Sequence, residues 1–248
     1  MIKLRSVTKS LKQGFIFLFF ALVMILCLVF SSAGFASGTE QSLFLVQPGD
    51  LLFQDLNGDS FFEAVARVTQ GYNGAVLTHV GIVAQNAEGK TVVLEALQEG
   101  VTATPLENFL NRSFDQEGNP KVLVGRLKRQ YQHLIDSALI EAFAREGKPY
   151  NHLFDIENED AYYCSELVYV CFRNANRGVP LFELKPMTFV DPDTGEIFPV
   201  WKDYFAGFEA EVPEGKPGLN PGGISRSPVL EIIHNYGVPA GWKEDKVF

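Results

Sequence analysis

Residues 77–97 read LTHVGIVAQNAEGKTVVLEAL and contain two apolar runs on either side of a short polar segment. The runs, 77–85 and 91–97, are rich in β-branched residues, and the segment 86–90 between them carries Asn, Gly and charged side chains. This pattern predicts two strands joined as a β-hairpin. Each strand contains a single ionisable residue among apolar neighbours.

These two ionisable residues are His79 and Glu95. A carboxylate in so apolar a strand destabilises the fold unless it has a partner, and a histidine there is either a satisfied core residue or a general base. A loop of three or five residues places both side chains on one face of the hairpin, opposite or diagonal to each other, whereas a loop of four places them on opposite faces. On one face, the two residues form a hydrogen-bonded pair.

The chain beyond this hairpin has strands first, with helices interspersed among them and after them. The patterns predict strands at 51–54 and 121–127, a helix at 60–68, a helical turn at 105–110, and longer helices that begin near 131 and near 164. Residues 180–248 are rich in Pro, Gly and aromatic residues and show no strong periodicity. This order of elements indicates the α+β class.

Cys164 lies where the segment 161–168 (AYYCSELV) changes from loop to helix. The N–H groups at a helix start lower the pKa of a thiol below its usual value of about 8.5, so Cys164 is a candidate nucleophile. The alternative is a small buried core residue, the commoner fate of a single cysteine. Cys171 fits that alternative. On one helix the two residues are about 10 Å apart, too far for a disulfide, which requires about 7 Å or less.

A cysteine, a histidine and an orienting carboxylate are the parts of a thiol acyl-transfer site. Cys164 would attack a carbonyl group, His79 would shuttle the proton, and Glu95 would fix the ring's tautomer and stabilise the imidazolium. The backbone N–H of Cys164 would then form half of an oxyanion hole.

The other histidines are weaker candidates. His133 lies on an amphipathic helix, and His234 has no evident partner. One polar loop could in principle hold a metal and contains His152, Asp155, Glu157 and Asp160. It lacks a ligand spacing such as HExxH, so we predict no metal site and no cofactor.

The first 36 residues differ in kind from the rest. Residues 1–14 are basic, residues 15–30 are an unbroken apolar run, and Gly34-Phe35-Ala36 is a small-x-small sequence. These features predict a secretory signal, cleaved after Ala36 or retained as an N-terminal anchor, although the run is shorter than the roughly 20 residues that span a bilayer comfortably. We therefore expect an exported protein, periplasmic or extracellular, with membrane contact only through this segment.

All 30 acidic residues follow this segment, and the formal net charge of the whole chain is −9. Lys and Arg form no cluster after residue 36. A basic face is the electrostatic requirement for nucleic-acid binding. The charge pattern therefore argues against nucleic acid as a partner.

Five blocks together resemble the YiiX/YebB family of permuted papain-like cysteine hydrolases, relatives of the NlpC-type cell-wall peptidases. In chain order they are GDLLF at 49–53, THVGI at 78–82, Glu95, KPYNHLF at 148–154 and YCSELV at 163–168. In the permuted branch the histidine precedes the cysteine, as it does here. The resemblance covers 47–173, and 180–242 is similar to the family's C-terminal part. Asn151 stands where the family pattern suggests Asp.

The resemblance implies a circularly permuted papain-like (NlpC-type) α+β fold, with an antiparallel sheet or barrel packed against helices. It implies a catalytic core at 37–178 and a C-terminal extension at 179–248 packed on the same domain. It also implies Cys164 as nucleophile, His79 as base and Glu95 as the third polar residue.

The leading functional hypothesis is an exported cysteine hydrolase that cleaves an amide bond, with cell-wall peptide as substrate, through a thioester. An alternative is a thiol acyl hydrolase or acyltransferase acting on lipid amides or other lipids. A long apolar trench beside Cys164 would indicate lipid, and a short polar cleft with a carboxylate for a substrate amine would indicate peptide. A third hypothesis is a catalytically silent binding module, which would have no need for all of Cys164, His79 and Glu95.

Overall fold

The computed structural model describes residues 44–56, 58 and 60–243. The segment predicted as a secretory signal lies outside these residues. No helix in the described part of the chain is both long and apolar enough to cross a bilayer.

The centre of the described region is a six-stranded antiparallel sheet with the order β4-β3-β2-β1-β5-β8. Its strands are β1 (Leu51–Gln54), β2 (His79–Gln85), β3 (Thr91–Leu97), β4 (Gly100–Pro105), β5 (Val122–Leu127) and β8 (Leu230–Asn235). A separate two-stranded ribbon consists of β6 (Lys185–Pro186) and β7 (Pro217–Gly218). The predicted strands at 51–54 and 121–127 are confirmed.

The sheet is open, so the barrel form of the predicted fold is wrong. β4 and β8 lie at opposite edges and do not pair with each other. The helix that begins at Cys164 packs against β2 and β3. Because a helix covers this face, the sheet does not have to close on itself to bury its apolar side chains.

The hairpin of β2 and β3 has the register that the sequence required. Gln85 pairs with Thr91, which leaves a loop of five residues, Asn86–Lys90. Ile82 pairs with Leu94. Continuing this register, His79 and Glu95 lie diagonal to each other on the same face of the sheet.

The helices are α1 (Ser60–Val68), α2 (Leu106–Leu110), α3 (Ile135–Phe143), α4 (Cys164–Ala175), α5 (Pro199–Ala206) and α6 (Pro221–Ser225). The predicted helices at 60–68, at 105–110 and near 164 are confirmed. The helix predicted from Tyr131 is α-helical only from Ile135, because Arg129–Leu134 form a 3-10 helix that precedes it. α3 packs on α4, and both contribute to the main hydrophobic core beside the sheet.

The aperiodic stretch after residue 179 contains regular structure. Strand β8 pairs with β5 in the central sheet. A second hydrophobic cluster has Phe189, Trp201 and Phe205 at its centre, together with Ala64 of α1. This cluster brings α5 against α1, and the two helices form one side of the cavity described below.

Candidate active site

Cys164 is the first residue of α4 and is buried, with 8% of its surface exposed. Tyr163 before it is extended (φ −90°, ψ 168°), so the helix begins at the cysteine. The Glu166 side chain accepts the backbone N–H of Tyr163 at 3.1 Å and fixes this start. The thiol therefore sits where the helix dipole favours a negative charge.

His79 lies between Cys164 and Glu95. Its Nε2 is 2.6 Å from Oε2 of Glu95, and its side chain also hydrogen-bonds the thiol of Cys164. Since Nε2 faces the carboxylate, Nδ1 is the nitrogen that faces sulfur. The structure thus brings all three predicted site residues into one line of contacts.

Arg112, in the turn after α2, extends this line to a fourth member. Its guanidinium donates to both carboxylate oxygens of Glu95, at 2.7 Å and 2.5 Å. Thr104 on β4 also hydrogen-bonds Glu95. The ring of Phe109 lies 5.9 Å from the His79 ring and 5.2 Å from the guanidinium carbon of Arg112. The carboxylate is completely buried, and its charge is balanced on two sides.

Gly81 provides the room that Glu95 occupies. It lies opposite Glu95 in the continued register, and a Cβ at this position would clash with Val93 and come within 3.2 Å of the Glu95 Cβ. A larger residue at position 81 would therefore displace Glu95 or the strand that carries it.

The charges of the site are strongly coupled. Burial opposes ionisation of His79, but hydrogen bonds to Cys164 and Glu95 and the charges of both raise its pKa to about 9. Burial likewise opposes a thiolate at Cys164, yet the hydrogen bond and charge of His79 lower its pKa. For Glu95, burial is outweighed by the hydrogen bonds from Arg112 and then His79, which lower its pKa to about 2. These directions describe a thiolate–imidazolium pair supported by an ionised carboxylate.

A second polar cluster lies on the other side of the helix start. Asn151 donates from Nδ2 to Oε2 of Glu166 at 3.0 Å and to the carbonyl of Asp155 at 2.8 Å. Burial raises the pKa of Glu166 to about 8, because its two N–H partners, Tyr163 and Asn151, do not compensate for it. An Asp at position 151 would place a second carboxylate against Glu166, so the Asn fits this neighbour.

A cavity of about 180 Å³ opens beside Cys164 and His79. Its wall is mostly apolar and includes six aromatic side chains, those of Tyr150, Phe154, Tyr163, Phe189, Trp201 and Tyr204. The described residues that line it include no Asp, Glu, Lys or Arg. Much of the wall lies between Met187 and Pro221, after Cys164 in the chain.

The family model of the permuted papain-like amidases, the YaeF/YiiX or C92 family, matches residues 45–234. The chain belongs to this family. The predicted resemblance and the permuted papain-like fold are thereby confirmed. Because this is a family of cysteine peptidases and amidases, the chain is a cysteine hydrolase.

A solved structure is also similar to this member of the family. It is the crystal structure of metalloprotein yiiX from Escherichia coli O157:H7, with a TM-score of 0.62 and 22% sequence identity. The match covers 78% of this chain and 99% of that one. At this identity the likeness concerns the fold. No curated protein matched the chain.

The weaker histidine candidates lie apart from the Cys164–His79–Glu95 line. His133 is exposed on the 3-10 helix, and His234 lies on β8. His152 contacts the hydroxyl of Tyr204 through Nδ1 at 2.9 Å and stacks on Phe208. Within the described ranges, no three His, Cys, Asp or Glu side chains are grouped so that they could hold a metal ion.

Two features of the site were not predicted from the sequence. The sequence does not indicate a role for Arg112, because it is an isolated arginine in a turn. Tyr150 was noted only as part of a motif, yet it lines the cavity, and burial followed by the charge of Cys164 raises its pKa well above the usual value. Its hydroxyl therefore stays protonated beside the thiol. Cys164 and Cys171, which were predicted to lie too far apart on one helix for a disulfide, are both free cysteines in the structure.

Proposed function

We propose that this protein hydrolyses an amide bond through a thioester on Cys164. The observation that carries the proposal is the continuous line from the Cys164 thiol through His79 and Glu95 to Arg112. Nucleophile, base and orienting carboxylate are the groups that thiol acyl transfer needs. The family supports an amidase of this kind.

The first half of the reaction begins with the thiolate–imidazolium pair. The Cys164 sulfur attacks the carbonyl carbon, a C–S bond forms, and the carbonyl oxygen becomes an oxyanion close to the N–H groups at the start of α4. The oxyanion collapses, the C–N bond breaks, and the His79 imidazolium gives its proton to the departing amine. The acyl group is then held as a thioester, and His79 is neutral.

The second half uses the same groups with water. Neutral His79 takes a proton from a water molecule whose oxygen attacks the thioester carbon. The C–S bond breaks, the carboxylic acid leaves, and the thiolate–imidazolium pair is restored. Glu95 stays ionised throughout, because Arg112 and His79 lower its pKa to about 2, and it holds the ring with Nδ1 towards sulfur.

The location and the substrate are further parts of the proposal. The basic and apolar N-terminal segment supports export, and the relationship to NlpC-type peptidases supports a cell-wall peptide. The apolar cavity favours the second candidate, a lipid-like acyl substrate. A silent binding module has little support, since burying an ion pair between a thiol and a histidine gives a binder no advantage.

Acyl trapping tests the mechanism. The protein is mixed with p-nitrophenyl acetate, quenched in acid, and mapped by peptide mass. We expect one acetyl group on Cys164 and none on Cys171, since Cys171 is completely buried and burial raises its pKa to about 12. His79→Ala should slow the acylation of Cys164. Equal acylation of the two cysteines, or none on Cys164, would contradict the proposal.

A further inference from the structure

The backbone N–H of Cys164 can stabilise an oxyanion only while it points to where the oxyanion forms. As the first residue of α4, Cys164 has no acceptor within the helix for this N–H, which leaves the group available to a substrate. Its direction is set by the peptide bond from Tyr163, whose backbone is extended (φ −90°, ψ 168°). A rotation about ψ of Tyr163 would turn the N–H away from the oxyanion.

Tyr163 is buried and is held at three points. Its backbone N–H donates to Oε2 of Glu166 at 3.1 Å, and its hydroxyl accepts the N–H of Leu219 at 3.2 Å. Its ring packs on the ring of Phe154, with 5.2 Å between the centroids. These contacts together restrict the backbone angles of the residue that precedes the nucleophile.

Asn151 links two of these three points. Its Nδ2 donates to Oε2 of Glu166 at 3.0 Å and to the carbonyl of Asp155 at 2.8 Å, and its Oδ1 accepts the Asp155 N–H at 3.4 Å. The turn 151–155 that is closed in this way contains Phe154, whose φ of 52° is a left-handed conformation that bulky residues rarely adopt. Without the bonds of Asn151, this turn could relax and Phe154 could move away from Tyr163.

Stability alone does not account for a buried carboxyl at this place. Glu166 has no exposed surface and Asn151 has almost none. Oε1 of Glu166 has no hydrogen-bond partner among the residues that the structure describes. Such a group destabilises a fold, and an apolar pair of similar shape would serve packing at least as well. A buried polar pair does, however, specify one arrangement of the groups that it joins.

We propose that Glu166 and Asn151 are positioning residues for the reaction, because together they hold the Tyr163–Cys164 peptide bond with the Cys164 N–H directed at the oxyanion. Both act through the backbone and the ring of Tyr163. This rests on the proposed thioester mechanism and deepens it by assigning a role to the polar cluster on the other side of the helix start.

Two reagents for Cys164 separate this role from thiol ionisation. p-Nitrophenyl acetate acylates the sulfur through an oxyanion, whereas iodoacetamide alkylates it by displacement of iodide and forms no oxyanion. Both reactions need the thiolate, so the ratio of their rates reports on oxyanion stabilisation. Asn151→Leu can bond neither Glu166 nor Asp155. At pH 7 we expect this variant to be acylated at least about tenfold more slowly than the parent protein and to be alkylated within about threefold of the parent rate.

Asn174→Leu is the matched control. It removes a bond of the same kind on the same helix, from Nδ2 of Asn174 to Oε2 of Glu141 at 2.8 Å, and it should change neither rate. Burial raises the pKa of Glu166 to about 8, so Glu166→Gln copies the neutral acid and keeps an acceptor for the Tyr163 N–H. This conservative variant should retain the acylation rate within about threefold, whereas Glu166→Leu should resemble Asn151→Leu.

The outcomes separate the positioning role from the mechanism on which it rests. Far-UV circular dichroism reports whether each variant is folded, and if Asn151→Leu is not, Asn151→Ser replaces it with the same expected result, because serine is too short to bond Glu166 and Asp155 together. If acylation slows no more than alkylation in the folded variant, the positioning role is overturned and the thioester mechanism stands. Failure of p-nitrophenyl acetate to acylate Cys164 in the parent protein would overturn the mechanism and, with it, the positioning role.

Discussion

Two buried polar clusters flank Cys164, and they hold their carboxylates in opposite states. On one side Glu95 contacts His79 and Arg112, and on the other Glu166 contacts Asn151 and the backbone of Tyr163. Both carboxylates have no exposed surface. Yet the pKa of Glu95 is lowered to about 2, and that of Glu166 is raised to about 8.

The difference between the clusters comes from their partners. Burial raises the pKa of either carboxyl, but Glu95 gains two charge-assisted hydrogen bonds from Arg112 and one from His79, whereas Glu166 gains only neutral N–H donors. The side of Cys164 that faces His79 is therefore charged, and the other side is neutral at neutral pH. A neutral Glu166 keeps a second negative charge away from the thiolate.

The largest effect is expected from Cys164→Ser, which removes the thiol between the clusters. A serine hydroxyl keeps the size and the hydrogen bonding but ionises far less readily than a thiol. We expect hydrolysis of p-nitrophenyl hexanoate to fall at least about 10³-fold, with the melting temperature nearly unchanged. The control is Cys171→Ser, seven positions along the same helix, which should retain activity. Substantial turnover by the folded Cys164→Ser protein would contradict the role of Cys164 as the nucleophile.

Glu95→Gln neutralises the charged cluster and keeps its shape. The imidazolium loses its supporting charge, so we expect kcat to fall on the order of 100-fold or more, as in triads whose acid was neutralised. Steady-state kinetics would measure this loss. Glu95→Leu separates catalysis from structure: a merely structural carboxylate could be replaced by leucine with little harm, whereas one that serves His79 could not. A folded and fully active Glu95→Leu protein would show that Glu95 does not support His79 in catalysis.

Arg112→Met weakens the charged cluster from its far end. Without the two guanidinium bonds, the pKa of Glu95 should rise from about 2, so protonation of Glu95 should reduce activity at higher pH than in the parent protein. We expect about a tenfold loss at neutral pH and an acidic limb of the kcat/KM profile displaced upward. Arg145→Met, which removes the partner of Glu141, is the control. An unshifted acidic limb in Arg112→Met would show that Arg112 is structural only.

Glu166→Gln should have the smallest effect, and it concerns stability. The folded-state pKa of Glu166 is about 8, above the usual 4.5, so its protonated form favours the fold and that contribution is lost as pH rises from about 4.5 to 8. Gln imitates the protonated form at every pH. Urea unfolding should show the variant more stable than the parent by on the order of 1–3 kcal/mol at pH 8, and nearly equal to it at pH 5. Parallel curves for the two proteins would contradict the raised pKa.

Much of the charged cluster could be predicted from the sequence, because its spacing is local. His79 and Glu95 belong to one hairpin, and the five-residue loop together with strand alternation fixes their common face. Cys164 could be placed at a helix start from the change of pattern around it. The role of Arg112 could not be predicted, because no sequence pattern shows which carboxylate an arginine in a turn will pair with.

The closure of the sheet and the wall of the cavity depend on long-range contacts, which leave no periodic pattern in the sequence. Closure of the sheet is decided by whether its two edges meet, and here α4 already covers the face, so the barrel alternative was wrong and the sheet alternative was right. Part of the wall of the cavity is built from aromatic residues after 179, which the sequence showed only as a composition. Their meeting with α1 depends on pairings over more than a hundred residues.

The catalytic residues and much of the cavity wall come from different parts of the chain. His79, Glu95, Arg112 and Cys164 all precede residue 165, and the stretch from Met187 to Pro221, which supplies much of the cavity wall, contributes none of them. Changes in that stretch can alter which acyl groups fit without disturbing the reacting atoms. Related proteins that keep the catalytic residues and diverge in the stretch from Met187 to Pro221 would catalyse the same reaction on different substrates.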